Sequence, residues 1–466
     1  MITIPIDTDS KQPIYIQIYE YIKEEILNGH IEAANKLPSA RSLAANLQVS
    51  RSTVDMAYSQ LVAEGYVEAK EKRGYFVAVI THLQQFSSKT DNSTILSPAP
   101  AKDSVPRFDF DPDTIDTEHF PYSIWKSLGK NQLDNPENFL VGDHFGEYPL
   151  RQAIADYLHG SRGVVCSPDH IIVGAGLDHL LQMLCVLFER RVTIAMEDPG
   201  YQSARQVLAT NGYTIIDIPL CDDSLDTQIL SRSSSDICYV TPSHQFPLGS
   251  VMPVPRRQEL LAWAREKSDR YIIEDDHDSE FRYKGKPIPA LQSLDTAGKV
   301  IYIGTFSKAI SPAIRTGYMV LPAALMARYR EKCGSYACPV SRLNQKLLAD
   351  FIRGGHFEKH LNRMRKTYKI KHDTMLKKIR EYFPKGRVMI SGDYAGLYII
   401  LRYLGSLTEE EIEKRAEENG IRLRSLREYY ASLPADYQPT YLLGFANLSN
   451  EMIGQGILCL AEKVFV

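Results

Sequence analysis

The sequence predicts an α/β protein in two parts: a small helical head that ends in a β-hairpin, and a large body built on a mostly parallel sheet. Three observations carry that expectation. At 466 residues the chain exceeds what one hydrophobic core usually spans. Its first 79 residues read as three helices and a hairpin, whereas from residue 108 onward apolar strand-like runs alternate with amphipathic helical stretches. Between them, residues 80–107 are rich in Ser, Thr, Pro and Ala and have no periodicity, which is the composition of a flexible linker.

Bulk composition narrows the class. Hydrophobic residues make up 44% and charged residues 24%, values of an ordinary globular chain, and no uncharged apolar run is long enough to cross a bilayer. The stretch from Met1 to Asp9 has acids and no basic segment, so it does not read as a secretory signal, and a cytoplasmic location is expected. Seven scattered cysteines are an odd number and argue against a disulfide framework. Cys333 and Cys338 are the one close pair, and without a second pair they make no zinc site, so no metal is expected there. The 54 basic and 57 acidic residues give a net charge of −3, so any attraction to a polyanion has to come from a local patch.

In the head, Ile14, Ile18, Ile22 and Ile26 recur every four residues as one apolar stripe, and Gly29 supplies a stop. Ser39 can cap a second helix that buries Leu43, Ala44 and Leu47. After a tight turn at Gln48-Val49, Ser50 can cap a third whose inner face is Val54, Ala57, Tyr58 and Leu61. Tyr66-Val67-Glu68-Ala69 and Tyr75-Phe76-Val77 read as two strands joined by the basic tip Lys70-Glu71-Lys72-Arg73-Gly74. Residues 1–79 hold 8 basic and 10 acidic side chains, so their sum does not mark a DNA binder, and a helical protein-interaction module fits the helix pattern as well. The distribution is more telling. No acid lies between Ala33 and Val54, while Lys36, Arg41 and Arg51 sit at the turn and the helix starts, where free N–H groups and arginines suit phosphate and base edges.

Leu37-Pro38-Ser39-Ala40-Arg41-Ser42-Leu43-Ala44, Val49-Ser50-Arg51-Ser52-Thr53-Val54, Ala57-Tyr58-Ser59-Gln60-Leu61 and Glu64-Gly65-Tyr66, in this order and spacing, resemble the GntR-type winged helix-turn-helix. The resemblance implies operator contacts by Ser39, Arg41, Ser50, Arg51, Thr53, Lys72 and Arg73.

In the body the principal chemical signal is Gly304-Thr305-Phe306-Ser307-Lys308 after the apolar run Val300-Ile301-Tyr302-Ile303, with Arg315 seven residues on. A lysine at the edge of a parallel sheet can be partly desolvated, its pKa lowered, and so serve as a Schiff-base nucleophile beside a phosphate held by Ser307 and Arg315. Upstream, Tyr271-Ile272-Ile273-Glu274-Asp275-Asp276 reads as a buried strand ending in carboxylates, the acidic partner that the ring nitrogen of pyridoxal phosphate needs. A metal site is the other use of such carboxylates; His277 keeps it open, although no third and fourth ligand stand out in sequence. Ile171-Ile172-Val173-Gly174-Ala175-Gly176 reads as a strand entering a small-residue phosphate turn, and Tyr201, in Glu197-Asp198-Pro199-Gly200-Tyr201, stands where it could stack on a flat ring. Thr241-Pro242-Ser243-His244-Gln245-Phe246-Pro247-Leu248-Gly249 is a further strand-end loop.

In this order the motifs resemble fold-type I aminotransferases, and with the head attached the chain resembles the MocR/GabR subfamily of GntR regulators. The resemblance implies that Lys308 forms the internal aldimine with pyridoxal 5'-phosphate, that Asp275 pairs with the pyridine nitrogen, and that Tyr201 stacks on the ring. Gly176, Ser307 and Arg315 would line the phosphate site. His277 takes the place of a tyrosine that hydrogen-bonds the phenolic oxygen, Phe246 that of an asparagine in catalytic members, and Leu177 that of a hydroxyl residue. Ser203 and Tyr430 stand where members that sense γ-aminobutyrate have carboxylate-gripping arginines, with Arg205, Arg422, Arg424 and Arg427 near enough in sequence to substitute. The implied protein is a head-to-tail homodimeric transcription regulator that binds operator DNA. It would respond to a small amine or amino-acid effector, or to the cofactor, by aldimine exchange at Lys308. A working aminotransferase with an accessory head, and a scaffold with a vestigial body, are the other two expectations.

Overall fold

The computed structural model describes residues 4–7, 10, 12–79, 105–188, 192–222, 224–283 and 288–466. The chain divides into two compact units, 1–102 and 103–466. Most of the expected linker, residues 80–104, lies outside the described residues.

The first unit follows its sequence pattern closely. Helices span Ile14–Leu27, Ala40–Leu47 and Arg51–Ala63, and an antiparallel hairpin pairs Val67–Lys70 with Gly74–Val77. Ser39 and Ser50 are the N-caps, their hydroxyls accepting from the N–H of Ser42 and Thr53, which satisfies donors that the helix leaves open. Gln48 adopts the left-handed conformation, φ 55°, that makes the turn between the second and third helices tight. The stripe residues Ile18, Ile22 and Ile26 pack with Val54, Ala57, Tyr58 and Leu61 in one core, while Leu47 is only half-buried at its edge. The Tyr58 hydroxyl donates to the carbonyl of Pro38, 2.9 Å, and ties the third helix to the start of the second.

The second unit is built on an eight-stranded sheet. In spatial order its strands are Ile171–Gly174, Gly317–Val320, Val300–Thr305, Tyr271–Asp275, Ile237–Val240, Thr193–Asp198, Thr214–Cys221 and Ser224–Leu225. The five from Val300–Thr305 to Thr214–Cys221 pair in parallel, and Gly317–Val320 runs antiparallel to both its neighbours. All four residues of Ile171–Gly174, Ile237–Val240 and Gly317–Val320 are buried, as a sheet covered on both faces requires. A smaller antiparallel sheet follows, ordered Val388–Ser391, Tyr398–Tyr403, Thr440–Gly444 and Arg424–Ser425. Phe108–Asp109 pairs in parallel with Ile421–Arg422, so the start of this unit returns onto its C-terminal part. Parallel strands end on the same side of a sheet, which brings the loops after Asp275 and Thr305 together.

All seven cysteines are free. Among the described residues no helix is long and apolar enough to cross a membrane.

Candidate functional site

The loops at the strand ends enclose a cleft of about 220 Å³ lined by Asp113, Leu177, Tyr201, Asp275, His277, Ser307, Lys308 and Arg315, among others. Six of the seven residues expected from the sequence to hold the cofactor line it directly. The seventh, Gly176, lies against Arg315: a Cβ there would come within 3.0 Å of the guanidinium, and φ of 91° is a conformation that favours glycine. Gly176 precedes the helix Leu177–Leu187 and gives it no side-chain cap, so backbone N–H donors at that helix start remain for an anion beside Arg315. The Arg315 guanidinium donates to the carbonyl of Ala175, 3.2 Å, and Asp178 lies 3.9 Å away.

Asp275 ends its strand fully enclosed, and its Oδ2 accepts from the Tyr239 hydroxyl on the neighbouring strand. Burial pushes its carboxyl up to about 6, with the charge of His277 and the Tyr239 hydrogen bond pulling the other way. A cationic ring nitrogen set beside it would offset that burial, so the carboxyl fits pyridoxal phosphate. The adjacent carboxylates are otherwise engaged. Glu274 accepts from the backbone N–H groups of Leu291 and Gln292, 2.6 and 2.8 Å. Asp276 makes a two-pronged bond to Arg162, 2.7 and 2.9 Å, and also accepts from the Tyr302 and Ser279 hydroxyls. That network leaves Asp276 unsuited to pair with a ring nitrogen.

Lys308 is engaged by two oxygen acceptors. Its ammonium donates to the carbonyl of Pro112, 2.7 Å, and to the carboxylate of Asp113, 3.1 Å. Burial raises the Asp113 carboxyl, but the charge and hydrogen bond of Lys308 outweigh it and hold it below its ordinary value. Sequence reading did not single out Asp113, which reaches the lysine through the return of the Phe108–Asp109 strand. Tyr239 and Arg162 were missed for the same reason: each partner is distant in sequence.

Tyr201 lies edge-on to Phe246, ring centroids 5.2 Å apart, and Phe246 packs 4.8 Å from His277. Phe246 therefore fills space with Tyr398, Leu426, Tyr429 and Leu442 and offers no hydrogen bond where it stands. All four arginines near enough to replace an absent carboxylate grip are already paired. Arg205 holds Asp217 at 2.5 Å, Arg422 Asp109 at 3.2 Å, Arg424 Asp111 at 2.8 Å, and Arg427 Glu409 at 3.6 Å. His244 and Asp278 lie beside His277, whereas Asp275 and Asp276, the carboxylates for which the sequence left a metal open, are not in that group.

On the first unit, the exposed Arg51 at the start of the third helix pairs with Asp55 at 3.4 Å. Arg41, Lys72 and Arg73 are exposed and form no ion pair among the described residues, and Lys72 sits at φ 58° in the hairpin tip. Ser50 is shared between the N–H of Thr53 and the hydroxyls of Ser52 and Thr53.

A three-helix head with a hairpin wing, and a body whose parallel sheet presents a lysine, a buried aspartate and a glycine turn at its strand ends, define a regulator-type head joined to an aminotransferase-type body. Comparison with known proteins agrees with both halves. Residues 114–454 match the family of aminotransferases class I and II, and residues 14–77 match the gntR family of bacterial regulatory proteins. The HTH-type transcriptional regulator YdeL of Bacillus subtilis is 40% identical over 96% of this chain and 95% of its own. The probable rhizopine catabolism regulatory protein MocR of Rhizobium meliloti is 34% identical over 97% and 94%, and the pyridoxine biosynthesis regulator PdxR of Corynebacterium glutamicum 31% over 93% of each. Among solved structures, the kynurenine aminotransferase of Pyrococcus horikoshii, in complex with PMP, is 27% identical with a TM-score of 0.68, covering 77% of this chain and 90% of that one. The chain belongs to the MocR-type transcription regulators, in which a GntR helix-turn-helix is joined to an aminotransferase class I and II domain.

Proposed function

We propose that this regulator binds operator DNA through residues 1–79 and holds pyridoxal 5'-phosphate in residues 108–466, with residues 80–107 as the link. Its signal is a small amine or amino acid, or the cofactor itself. The observation that carries the reading is the cleft in which Lys308, Asp275, Tyr201 and the Gly176–Arg315 turn meet. Bound there, the cofactor supplies an aldehyde that condenses reversibly with primary amines. Around it, the Arg315 guanidinium and the N–H groups after Gly176 hold the phosphate, Asp275 holds a proton on the ring nitrogen, and Tyr201 covers the ring face. His277 faces the phenolic side. Lys308 is the amine that a ligand displaces, and its return to Asp113 once displaced is the local change an effector would exploit. In the head, Ser39, Arg41, Ser50, Arg51, Thr53, Lys72 and Arg73 serve phosphate and base contacts. A homodimer with each head against its partner's body completes the reading, as the family resemblance implies.

An absorbance spectrum of the purified protein tests it. A band near the visible edge is expected, and Lys308→Ala should abolish it while leaving the circular dichroism of the fold unchanged. A colourless protein that stays colourless after incubation with pyridoxal phosphate would refute cofactor binding and favour a scaffold. Sustained conversion of an amino acid to its keto acid would favour the aminotransferase instead. The apolar surroundings of Phe246 speak against efficient turnover.

A further inference from the structure

Past Asp275, the cleft wall holds a cluster of which the proposed function uses only His277. His244, on the loop after Ile237–Val240, and His277 and Asp278, just beyond Tyr271–Asp275, each offer one ligand atom, and those atoms all lie within 4.8 Å of one another. Among the described residues no other three such side chains meet this condition. His244 is 1% exposed and Asp278 3%. Nδ1 of His277 and the carboxylate oxygens of Asp278 have no hydrogen-bond partner among the described residues and approach each other only to 3.8 Å, while His244 is met by the backbone of Ala395. Enclosed polar atoms so sparsely partnered in one place carry a desolvation cost that a single cation among them would relieve. The His277 and His244 rings lie nearly parallel, 12° apart, and Asp278 turns its carboxylate toward them from a left-handed backbone, φ 52°. The His244 ring is confined, since a Cβ on Gly396 would overlap it and one on Gly249 would come within 3.3 Å of Nε2.

We propose that His244, His277 and Asp278 form a binding site for one divalent transition-metal ion of the zinc class. Two imidazoles and one carboxylate are a borderline donor set that suits zinc, cobalt or nickel rather than magnesium or calcium. Three protein ligands leave one tetrahedral position open, and because His277 and Asp278 both line the cleft that position faces it. Metal–ligand bonds of about 2.0–2.2 Å need donor atoms somewhat closer than they stand, which side-chain rotation on His277 and Asp278 can supply. The carboxylate of Asp275 lies on the same wall and favours a cation, with Arg162 already neutralising Asp276 and Arg282 opposing at His244. The inference shares His277 with the proposed function and is read out by the metal rather than by the cofactor band.

Full-length protein dialysed against a chelator and then titrated with Co²⁺ gives the test, since the visible bands of bound cobalt report its coordination. One ion per chain is expected, displaced by Zn²⁺, with Asp278→Asn and His277→Phe each weakening it roughly tenfold or more. Asn tolerates the backbone at 278 and His277 is half-buried, so both variants should melt close to the parent. Lys308→Ala should lose the cofactor band and keep the cobalt bands, which separates this site from the proposed function. Stoichiometric cobalt binding unchanged in both ligand variants, or no coordination bands at saturating Co²⁺, would overturn the proposal.

Discussion

Two neighbouring aspartates illustrate how much a single position decides. Asp276 is locked to Arg162, Tyr302 and Ser279, whereas Asp275 has one hydroxyl and burial that keeps its proton near pH 6. Removing one partner of a buried pair strands the other charge, so Asp276→Ala should cost about 3–5 kcal/mol in denaturant unfolding. Asp275→Asn should leave stability within about 1 kcal/mol of the parent, since it removes a carboxyl that ionises reluctantly, yet abolish the spectral response to added amines. Equal destabilisation by both, or an unchanged amine response in Asp275→Asn, would reverse the assignment. Sequence pattern located this pair at a strand end beside a lysine loop. It could not distribute the partners, because Arg162, Tyr239 and Asp113 are each set by contacts between elements far apart in the chain. For the same reason the pairing of Lys308 with Asp113 escaped a reading that expected a desolvated amine.

At the scale of elements, helix caps and apolar periodicity were legible because they depend on neighbours a few residues away. Ser39, Ser50 and Gln48 are instances in the head. Arg51→Ala should therefore abolish specific operator protection at matched salt without changing the melting curve, since the side chain is exposed and its Asp55 contact is a surface pair worth little. Retained protection would remove it from the reading helix. Ser50→Ala should cost about 1 kcal/mol of head stability through loss of the cap. Within the sheet, the strand Thr193–Asp198 carries the buried Glu197, whose Oε2 accepts from the N–H and hydroxyl of Thr241 and whose carboxyl burial pushes up to about 7. A carboxyl raised from 4.5 to about 7 binds its proton more tightly folded than unfolded. The stability it contributes is therefore full below about pH 4.5 and is lost as pH rises toward 7. Glu197→Gln should gain on the parent over that window, by up to about 3 kcal/mol at its top. A parent-minus-variant stability difference that stays flat from pH 4.5 to 7 would show that Glu197 does not titrate in that range.

For the molecule as a whole, the question is what shifts operator affinity. A ligand changes it only by binding the two DNA-binding states unequally, and a tenfold change needs a difference of about 1.4 kcal/mol. An effector with a free carboxylate would have to recover its lost hydration from a paired donor inside the cleft. Ser203 and Tyr430 provide no cation, and Arg205, Arg422, Arg424 and Arg427 are each held by an aspartate or glutamate. Taking Arg422, Arg424 or Arg427 would strip an acid of its partner, a cost the ligand would have to meet before any gain, and Arg205, though its Nε and Nη2 have no hydrogen-bond partner, is not among the residues that line the cleft. γ-Aminobutyrate should accordingly leave both the cofactor spectrum and operator affinity unchanged at low concentration, when titrated beside other amino acids, dipeptides and excess pyridoxal phosphate. A matched spectral and DNA-binding shift with γ-aminobutyrate would sink this expectation and require one of the four arginines to exchange partners, which its substitution by glutamine would then identify. If added cofactor alone shifts operator affinity, the signal is the supply of pyridoxal phosphate, and Lys308 acts as a sensor residue whose engagement with Asp113 reports the empty state.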